Sequence, residues 1–471
     1  MTNNSGNLEF FFNPKTIAII GASESLKFGY SMTKYLLNSS FKTYPVNINK
    51  DEVFGHKAYR RIMDIPDEVE LAIIIVPNDN VLEAVKDCVE KAVKGIIIET
   101  AGFSETGIQK YVAIQQAIEH IVQTSKVRII GPNCVGIANF NNKFTTTEIE
   151  FEKLMDAGTI SIIAQSGVLG NAVIDWGAGQ KIAFSKSITL GNKVDVDEID
   201  MLEYLENDPY TKVITLYLEG VKRGKKLLET LRKISKPVII LKNGRSIAGS
   251  NAIKSHTGSI AGNDKVYDAI FKQFPGVFRV DNFYEMFDIA QAFSHQPLPH
   301  GSNIAIITAS GSLGALACDQ IEKIGLNLAP LKSTTLGEMK QISPTWTSVK
   351  NPVDLGPSLF GTFKPSLTAL MNDENVNAIL YIVAVPRKPI EEFSLPISPQ
   401  FRVIKKLIAQ FNKPIIICVF GSPWVLDRFL EDSPKYDIPI MTRIDHAIKA
   451  FKMMYEFNRA KSNKYKWLIN P

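Results

Sequence analysis

Short apolar segments rich in β-branched residues alternate with amphipathic segments along most of the chain. The first series of apolar runs, between Thr16 and Ile130, comprises TIAII, PVNI, LAIIIV, GIIIE and VRII. Turn residues and then amphipathic stretches such as NVLEAVKDCVEKAVK follow several of these runs. Alternation of buried strands with helices is typical of parallel sheets that are covered on both faces. This region is therefore predicted to form one doubly wound α/β domain.

Two further series of strands and helices follow the first. The second begins at TISIIA and continues through FSKSITL, KVITLYL and KPVIILK, with helices reaching about Tyr284. The third opens at NIAIIT and runs through NAILYIVAV and KPIIICVF to DIPIM. Between them, the Pro- and Gly-containing segment HQPLPHGSN, from His295 to Asn303, predicts a linker. A chain of 471 residues also agrees with about three domains, at roughly 100–200 residues each.

Three of the predicted strands end in similar turns of small residues. These are IAIIGAS at Ile17 to Ser23, ISIIAQSG at Ile160 to Gly167 and IAIITASG at Ile304 to Gly311. Such a turn places backbone N–H groups and a helix N-terminus at the carboxyl edge of a sheet, where anions are favoured. Glycine also permits tight turns and close helix packing, so one such turn is weak evidence of a ligand. The third, TASGSLG, fits either phosphate binding or packing, and we favour packing at a subunit or domain interface. We interpret Asp354 in NPVDLGP as a turn cap.

The first of these turns, GASESLKFGY, differs from the dinucleotide-binding fingerprint. Gly29 comes eight residues after Gly21, and no third glycine follows at the usual spacing. Asn49 and Lys50 stand after the second strand, where a ribose-binding carboxylate would be expected. This pattern argues against NAD and against a dehydrogenase, and it favours an adenine nucleotide that carries an additional phosphate. The alternative is a Rossmann-like domain without a ligand.

One histidine stands out from the six in the chain. His256 lies in NAIKSHTGSIAG, between Ser255 and Thr257, in what we predict to be a loop that leaves the imidazole accessible. A neutral imidazole is a competent nucleophile toward a phosphoryl group, and hydroxyls beside it would stabilise the phosphorylated form. From this segment alone, a covalent relay and an ordinary surface histidine remain equally open.

Composition limits the class of protein. The net charge of +5 is small, and the basic C-terminal cluster is interpreted as a solvated or docking face, not a nucleic-acid site. The four cysteines are widely separated, which predicts buried reduced thiols, no disulfide framework and no metal site. The N-terminus carries no signal-peptide pattern, and no apolar run reaches the ~20 residues of a membrane span. We therefore expect a cytoplasmic protein that binds neither membrane nor nucleic acid.

A set of ordered motifs runs along the chain: IAIIGAS with FGY, PVNINK, IIVP, ETAGFSETG, RIIGPNCVGI, AQSGVLG, LGNKVDVDEIDMLEYL, LYLEG, SHTGSIAG and NPVDLGP. These motifs resemble those of one enzyme family, the NDP-forming acyl-CoA synthetases, in the branch of ADP-forming acetate:CoA ligase alpha subunits. The chain is more distantly similar to the succinyl-CoA synthetase alpha subunit. The resemblance implies a Rossmann-like CoA-binding domain over residues 1–143 and two flavodoxin-like doubly wound domains over 144–296 and 297–471.

The resemblance also implies roles for individual residues. His256 would be the phosphohistidine, and Glu219 in LYLEG would hold its imidazole in the reactive orientation. The phosphate would be bound by Gln165, Ser166, Gly167, Thr257 and Gly258. The CoA site would comprise Gly21, Ala22, Ser23, Gly29, Asn47, Lys50, Val76, Pro77, Thr100, Ala101, Gly102, Pro132 and Asn133.

The implied reaction is reversible conversion of acyl-CoA, ADP and phosphate into an acid, ATP and CoA, through an acyl phosphate and the phosphohistidine. No segment resembles the ATP-grasp domain that the family needs for ADP, ATP and Mg²⁺, so we expect an ATP-grasp beta subunit in an α2β2 assembly, or the missing half of a fused chain. Small residues at Ala164, Gly167 and Gly170 favour a short acid such as acetate. The alternative function is a non-catalytic CoA-binding or regulatory protein.

Overall fold

The computed structural model describes residues 8–257, 263–392 and 397–469. The chain forms two compact units, Met1–Asp281 and Asn282–Pro471. Each unit is built on parallel strands with helices between them, so the predicted α/β class is confirmed. Of the helices in the described ranges, none combines the length and apolar character that a membrane crossing needs.

The first sheet of unit 1 is wholly parallel, with strand order β2-β1-β5-β6-β7. Its apolar strands are fully buried because helices cover both faces. The elements of this region are α1 (Glu9–Phe12), β1 (Thr16–Ile20), α2 (Tyr30–Asn38), β2 (Lys42–Val46), β3 (Glu52–Val53), β4 (His56–Lys57), β5 (Leu71–Ile74), α3 (Asn78–Glu90), β6 (Gly95–Ile98), α4 (Gln109–Thr124) and β7 (Arg128–Ile130). Strands β3 and β4 form a separate antiparallel pair.

The second sheet of unit 1 has the order β14-β13-β12-β10-β11-β8-β9. Its elements are β8 (Ile137–Asn139), β9 (Phe144–Thr145), β10 (Ile160–Ala164), α5 (Gly167–Gly179), β11 (Phe184–Thr189), α6 (Glu198–Asn207), β12 (Val213–Leu218), α7 (Gly224–Lys233), β13 (Val238–Lys242), α8 (Ile247–Thr257), α9 (Asp264–Phe271) and β14 (Val277–Val280). Strands β10 to β14 are parallel, whereas β8 runs antiparallel to β11 and to β9. The hairpin of β8 and β9 was not predicted, because these strands are only three and two residues long.

Unit 2 contains the third sheet, with the order β17-β18-β15-β19-β20-β21 and β16 beside β15. Its elements are α10 (Phe283–His295), β15 (Asn303–Thr308), α11 (Gly311–Lys323), β16 (Asn327–Leu328), α12 (Ser333–Ile342), β17 (Ser348–Val349), β18 (Val353–Asp354), α13 (Leu359–Asn372), β19 (Ala378–Val383), α14 (Arg387–Glu392), α15 (Ser398–Phe411), β20 (Ile415–Val419), α16 (Pro423–Tyr436), β21 (Ile440–Met441) and α17 (Ile444–Ile469). Only β17 is antiparallel to its neighbour among the described strands of this sheet.

Helix α10 belongs to unit 2, although the sequence pattern suggested that the second series ends near Tyr284. The helix packs against α17, where Asp288 Oδ2 lies 2.6 Å from His446 Nδ1 and Lys449 Nζ donates to Glu285 Oε1 at 2.6 Å. These polar contacts join segments more than 150 positions apart and carry no local sequence signal. The domain boundaries at residues 143 and 296 stay predictions.

Candidate functional site

A cavity of about 420 Å³ lies in unit 1, where loops from the two sheets meet. The first sheet contributes the segments after β6 and β7, and the second contributes the turn between β10 and α5. Its walls are formed by Phe28, Glu99, Thr100, Ala101, Asn133, Cys134, Val135, Gln165, Ser166, Gly167, Val168 and Gly191. The cavity therefore brings three of the predicted CoA residues together with three of the predicted phosphate residues.

The turn after β1 needs glycine for two reasons. Gly21 has φ +98°, a conformation that residues with a Cβ rarely adopt. A Cβ built there would also lie 2.9 Å from the Ile75 carbonyl oxygen. Asn47 holds this turn from the neighbouring strand, because its Nδ2 donates to the Ala22 carbonyl at 2.8 Å and its Oδ1 accepts from the Lys50 N–H at 3.1 Å. Hydrogen bonds thus join the turn after β1 to the turn after β2, and we call these two turns the rim.

Two of the predicted CoA residues at this rim, Gly29 and Lys50, already bind carboxylates of the chain itself. The Gly29 N–H, at the N-cap of α2, donates to Glu148 Oε1 at 2.9 Å. Lys50 Nζ lies 2.5 Å from Glu24 Oε2, and this hydrogen bond lowers the pKa of the exposed Glu24 carboxyl. A phosphate that binds at either place must compete with a carboxylate that is already there.

Side-chain hydrogen bonds fix the loops that follow β5, β6 and β7. Thr100 Oγ1 donates to the Val76 carbonyl at 2.7 Å, and Asn78 Nδ2 donates to the Gly102 carbonyl at 3.1 Å. Asn133 Nδ2 donates to Asn192 Oδ1 at 3.2 Å, which ties the first sheet to the loop after β11. These bonds connect the loops that form the wall of the cavity to one another and to the second sheet.

The turn between β10 and α5 is connected directly to Glu219. Gln165 is fully buried, and its Oε1 accepts from the Glu219 N–H at 2.9 Å and the Gly220 N–H at 3.1 Å. Ser166 is the N-cap of α5, and Gly167 is its first residue. The first turn of a helix has backbone N–H groups without intrahelical partners, so this end of α5 can bind an anion. Gln165 and Glu219 are therefore joined by hydrogen bonds beside that anion site.

Glu219 is buried just past the carboxyl end of β12. Tyr217 donates its hydroxyl to Glu219 Oε1 at 3.3 Å, while Asn243 Nδ2 donates to the same hydroxyl oxygen at 2.8 Å. Burial, with a smaller contribution from the Glu219 charge, raises the pKa of Tyr217 to about 12. Lys193 Nζ donates to the Gly220 carbonyl at 2.7 Å and fixes the next residue. These hydrogen bonds fix the position of the Glu219 side chain, which suits a residue that orients an imidazole.

The expectation of a loop at His256 is wrong, because the backbone from Ile247 to Thr257 is helical. Ser246 caps this helix, α8, by accepting a hydrogen bond from the Gly249 N–H at 3.0 Å. The side chains of His256 and Thr257 and the whole of Gly258 lie outside the described part of the structure. Helix α8 contacts the 3-10 turn Ser104–Thr106, which follows the Gly102 loop of the first sheet.

The structure also revealed a cavity residue that the sequence analysis missed. Glu99 follows β6, is only 4% exposed, and lines the cavity. Its Oε1 is buried and has no hydrogen-bond partner among the described residues. In the sequence, Glu99 directly follows the apolar run GIII and is the first residue of ETAGFSETG.

Small residues at the turn before α5 do not all face the cavity. Gly167 lines it, but a Cβ built on Gly170 would lie 2.5 Å from Thr189 Cγ2, and Ala164 is fully buried in β10. Gly170 therefore permits close packing of α5 on β11. Asp354 caps its turn as predicted, since its Oδ1 accepts from the Gly356 N–H at 3.0 Å. No cluster of metal-ligating side chains occurs within the described ranges.

Comparison with known proteins identifies the family. Residues 15–139 match the family described as a CoA binding domain, and residues 157–293 match the succinyl-CoA ligase like flavodoxin domain. The alpha subunit of acetate–CoA ligase (ADP-forming) II from Pyrococcus furiosus is 43% identical over 443 residues, covering 93% of this chain and 94% of the relative. The chain belongs to the ADP-forming acetate–CoA ligase alpha-subunit family.

Other members of this ligase family extend the comparison. The solved structure of the dinucleotide forming acetyl-coenzyme A synthetase 1 of Ca. Korarchaeum cryptofilum, in complex with phosphate and ADP, superimposes with a TM-score of 0.87 at 29% identity, covering 98% of this chain and 99% of that one. The 4-hydroxybutyrate–CoA ligase (ADP-forming) of Nitrosopumilus maritimus is 32% identical over 455 residues, covering 95% of this chain and 64% of the relative. The ligase family thus acts on more than one short acid.

Proposed function

We propose that this chain is the CoA-binding, histidine-bearing subunit of an ADP-forming acyl-CoA ligase. The observation that carries the proposal is the cavity where Thr100 and Asn133, on the predicted CoA side, meet Ser166 and Gly167, on the predicted phosphate side. Acyl transfer between CoA and phosphate requires both reactants in one place, and positioning is a large part of such catalysis.

The reaction follows three steps, written toward ATP. A phosphate oxygen attacks the carbonyl carbon of acyl-CoA, and the C–S bond breaks to leave an acyl phosphate and CoA. A ring nitrogen of His256 then attacks phosphorus and releases the carboxylic acid. Finally the phosphoryl group passes from His256 to the terminal phosphate oxygen of ADP. Each step is reversible, so the same residues serve activation of the acid by ATP.

Within this scheme, each part of the site has a distinct task. The first turn of α5 neutralises the phosphate charge, because its backbone N–H groups are already oriented. Glu219 accepts a hydrogen bond from one ring nitrogen of His256, which makes the other nitrogen the nucleophile. Contact between α8 and the Ser104–Thr106 turn supports this assignment, since it brings the histidine-bearing helix to the CoA side.

The nucleotide and Mg²⁺ belong to a partner in this proposal. The described ranges contain no group of side chains suited to a metal ion. We infer an ATP-grasp beta subunit that supplies ADP, ATP and Mg²⁺, in an α2β2 assembly; relatives that are named as alpha subunits support a partner of this kind. A short acid such as acetate is the proposed substrate, supported by Gly167 in the cavity wall and by the relative that is named as an acetate–CoA ligase.

The test is phosphoryl trapping with γ-labelled ATP, Mg²⁺ and the partner subunit. We expect acid-labile, base-stable label on His256 that is discharged by CoA and acetate together. Absence of label, with nucleotide binding by the partner verified, would favour a CoA-binding regulatory protein. A panel that includes acetate, succinate and 4-hydroxybutyrate then decides the acid, and better turnover of either larger acid would overturn the acetate assignment.

A further inference from the structure

The cavity wall contains a buried carboxyl group that the proposed steps leave without a task. Glu99 Oε1 has no hydrogen-bond partner among the described residues, and it lies close to Gly136, where a built Cβ would come within 2.6 Å of it. A buried polar atom without a partner destabilises the folded chain, because its lost contacts with water are not replaced. Such a group calls for a functional explanation.

The position of Glu99 suggests which reactants it faces. Thr100 and Ala101, which follow it, belong to the predicted CoA loop, and the first turn of α5 forms another part of the same wall. Among the described residues of that wall, the ionisable ones are Glu99 and Cys134. Cys134 donates its thiol to the Ile98 carbonyl at 3.3 Å, and burial raises the pKa of that thiol far above its usual range. The thiol therefore stays protonated, and Glu99 is the group able to exchange a proton.

We propose that Glu99 is the acid–base residue that carries the proton between the CoA sulfur and the phosphate during acyl transfer. The proposal rests on the proposed function. In acyl-CoA synthesis, the Glu99 carboxylate takes the thiol proton while the sulfur lone pair forms the C–S bond. The C–O bond of the acyl phosphate breaks with its electron pair on the phosphate oxygen, which then takes the proton from Glu99. In the opposite direction the neutral carboxyl gives its proton to the departing sulfur.

The surroundings of Glu99 suit this exchange. Burial raises the pKa of Glu99 well above its usual value; the neighbouring Thr146 hydroxyl opposes this shift, and the charge of Glu148 adds a smaller increase. A carboxyl group with a raised pKa is a stronger base when ionised and keeps its proton longer when neutral, and acid–base catalysts work best with a pKa near the working pH. Acyl-CoA synthesis should therefore slow as the pH falls through the Glu99 pKa, because the base becomes protonated.

The decisive experiment compares Glu99→Gln with the wild-type chain, each assembled with its partner subunit. The rate measured is acetyl transfer from acetyl phosphate to CoA and, separately, to selenocoenzyme A. A selenol is already ionised at neutral pH and needs no base. We expect a loss of about 10²- to 10⁴-fold with CoA and a much smaller loss with selenocoenzyme A. The fall in rate with decreasing pH should also disappear in the variant.

Controls separate this role from a structural one. Glu285→Gln is the matched control, because Glu285 is as buried as Glu99 but is not part of the cavity wall; it should leave both rates unchanged. Equal losses with both acceptors, or no loss with CoA, would overturn the assignment of Glu99. Labelling of His256 by acetyl phosphate without CoA tests the proposed function separately. If the wild-type complex is not labelled, the proposed function fails whatever Glu99 does.

Discussion

His256 is the residue on which the proposed relay depends. Replacement by alanine removes the nucleophile, so His256→Ala should abolish both phosphoryl labelling and net turnover. The predicted CoA residues lie on other segments, so CoA affinity should stay within about threefold of wild type, a change below 1 kcal/mol. Isothermal titration with CoA checks this, and loss of CoA binding in the variant would contradict the division of the site.

The negative charge of Glu219 should accelerate phosphorylation of His256. Glu219→Gln keeps the size and one acceptor oxygen but removes the negative charge that favours the reactive imidazole. We expect phosphorylation of His256 to slow by about 10- to 100-fold, as for other partners that orient a histidine. Tyr217→Phe is the control, because it removes the hydroxyl that donates to Glu219 Oε1 and accepts from Asn243 Nδ2 but keeps the Glu219 side chain. It should slow the step less. The opposite order of effects would assign the role to Tyr217.

Gly21 provides a test of the CoA site that avoids charged groups. In Gly21→Ala the new methyl would meet the Ile75 carbonyl oxygen, and the residue would keep φ +98°. The turn after β1 must therefore shift, and we expect CoA affinity to fall at least tenfold. Gly107→Ala is the matched control, since Gly107 has φ +70° but open space around its Cβ position. Equal CoA affinity in the two variants would argue against binding at this turn.

Individual residues show which parts of the site could be predicted from the sequence and which could not. Gln165 was identified from the strand and turn motif, and the structure adds its two bonds to the backbone of Glu219 and Gly220. Glu99 was missed because a polar residue after a strand usually reaches solvent. Its burial depends on Gly136 and neighbouring residues more than 30 positions later in the chain. Contacts of that kind have no local pattern.

The helix that carries His256 shows that secondary structure, too, could be predicted only in part from the sequence. Gly258 and the run of small hydroxyl residues favoured a loop, but the Ser246 cap allows α8 to form and to extend to Thr257. Parallel strands were easier to predict, because continuous β-branched runs such as those of β5 and β13 need burial on both faces. The short β8 and β9 carry too few residues for any periodic signal.

The cap of α8 can be tested by one substitution. Ser246→Ala removes the acceptor for the Gly249 N–H and should destabilise the helix by about 1 kcal/mol. Amide exchange in α8 should then accelerate about fivefold, with slower labelling of His256. Ser422→Ala is the matched control, because Ser422 is the N-cap of α16 but makes no side-chain capping bond. An equal acceleration in α16 would show that the Ser246 bond contributes nothing specific.

The division into two units leads to a prediction for the whole chain. All predicted CoA residues lie in unit 1, Met1–Asp281. A ligand that binds only the native state stabilises it, by about 2.7 kcal/mol at 100 times its Kd. CoA should therefore slow amide exchange in unit 1, most strongly in the loops after β1, β2, β5, β6 and β7. Unit 2, Asn282–Pro471, should change little.

Hydrogen exchange followed by mass spectrometry can measure this protection segment by segment. The His256→Ala variant should show the same protection, because it lacks the relay but keeps the CoA loops. The Gly21→Ala variant should lose it at equal CoA concentration, while Gly107→Ala should retain it. Protection that is as strong in unit 2 as in unit 1 would mean that CoA contacts, or acts through, a surface of the third sheet, and the CoA site would have to be extended beyond the loops of the first.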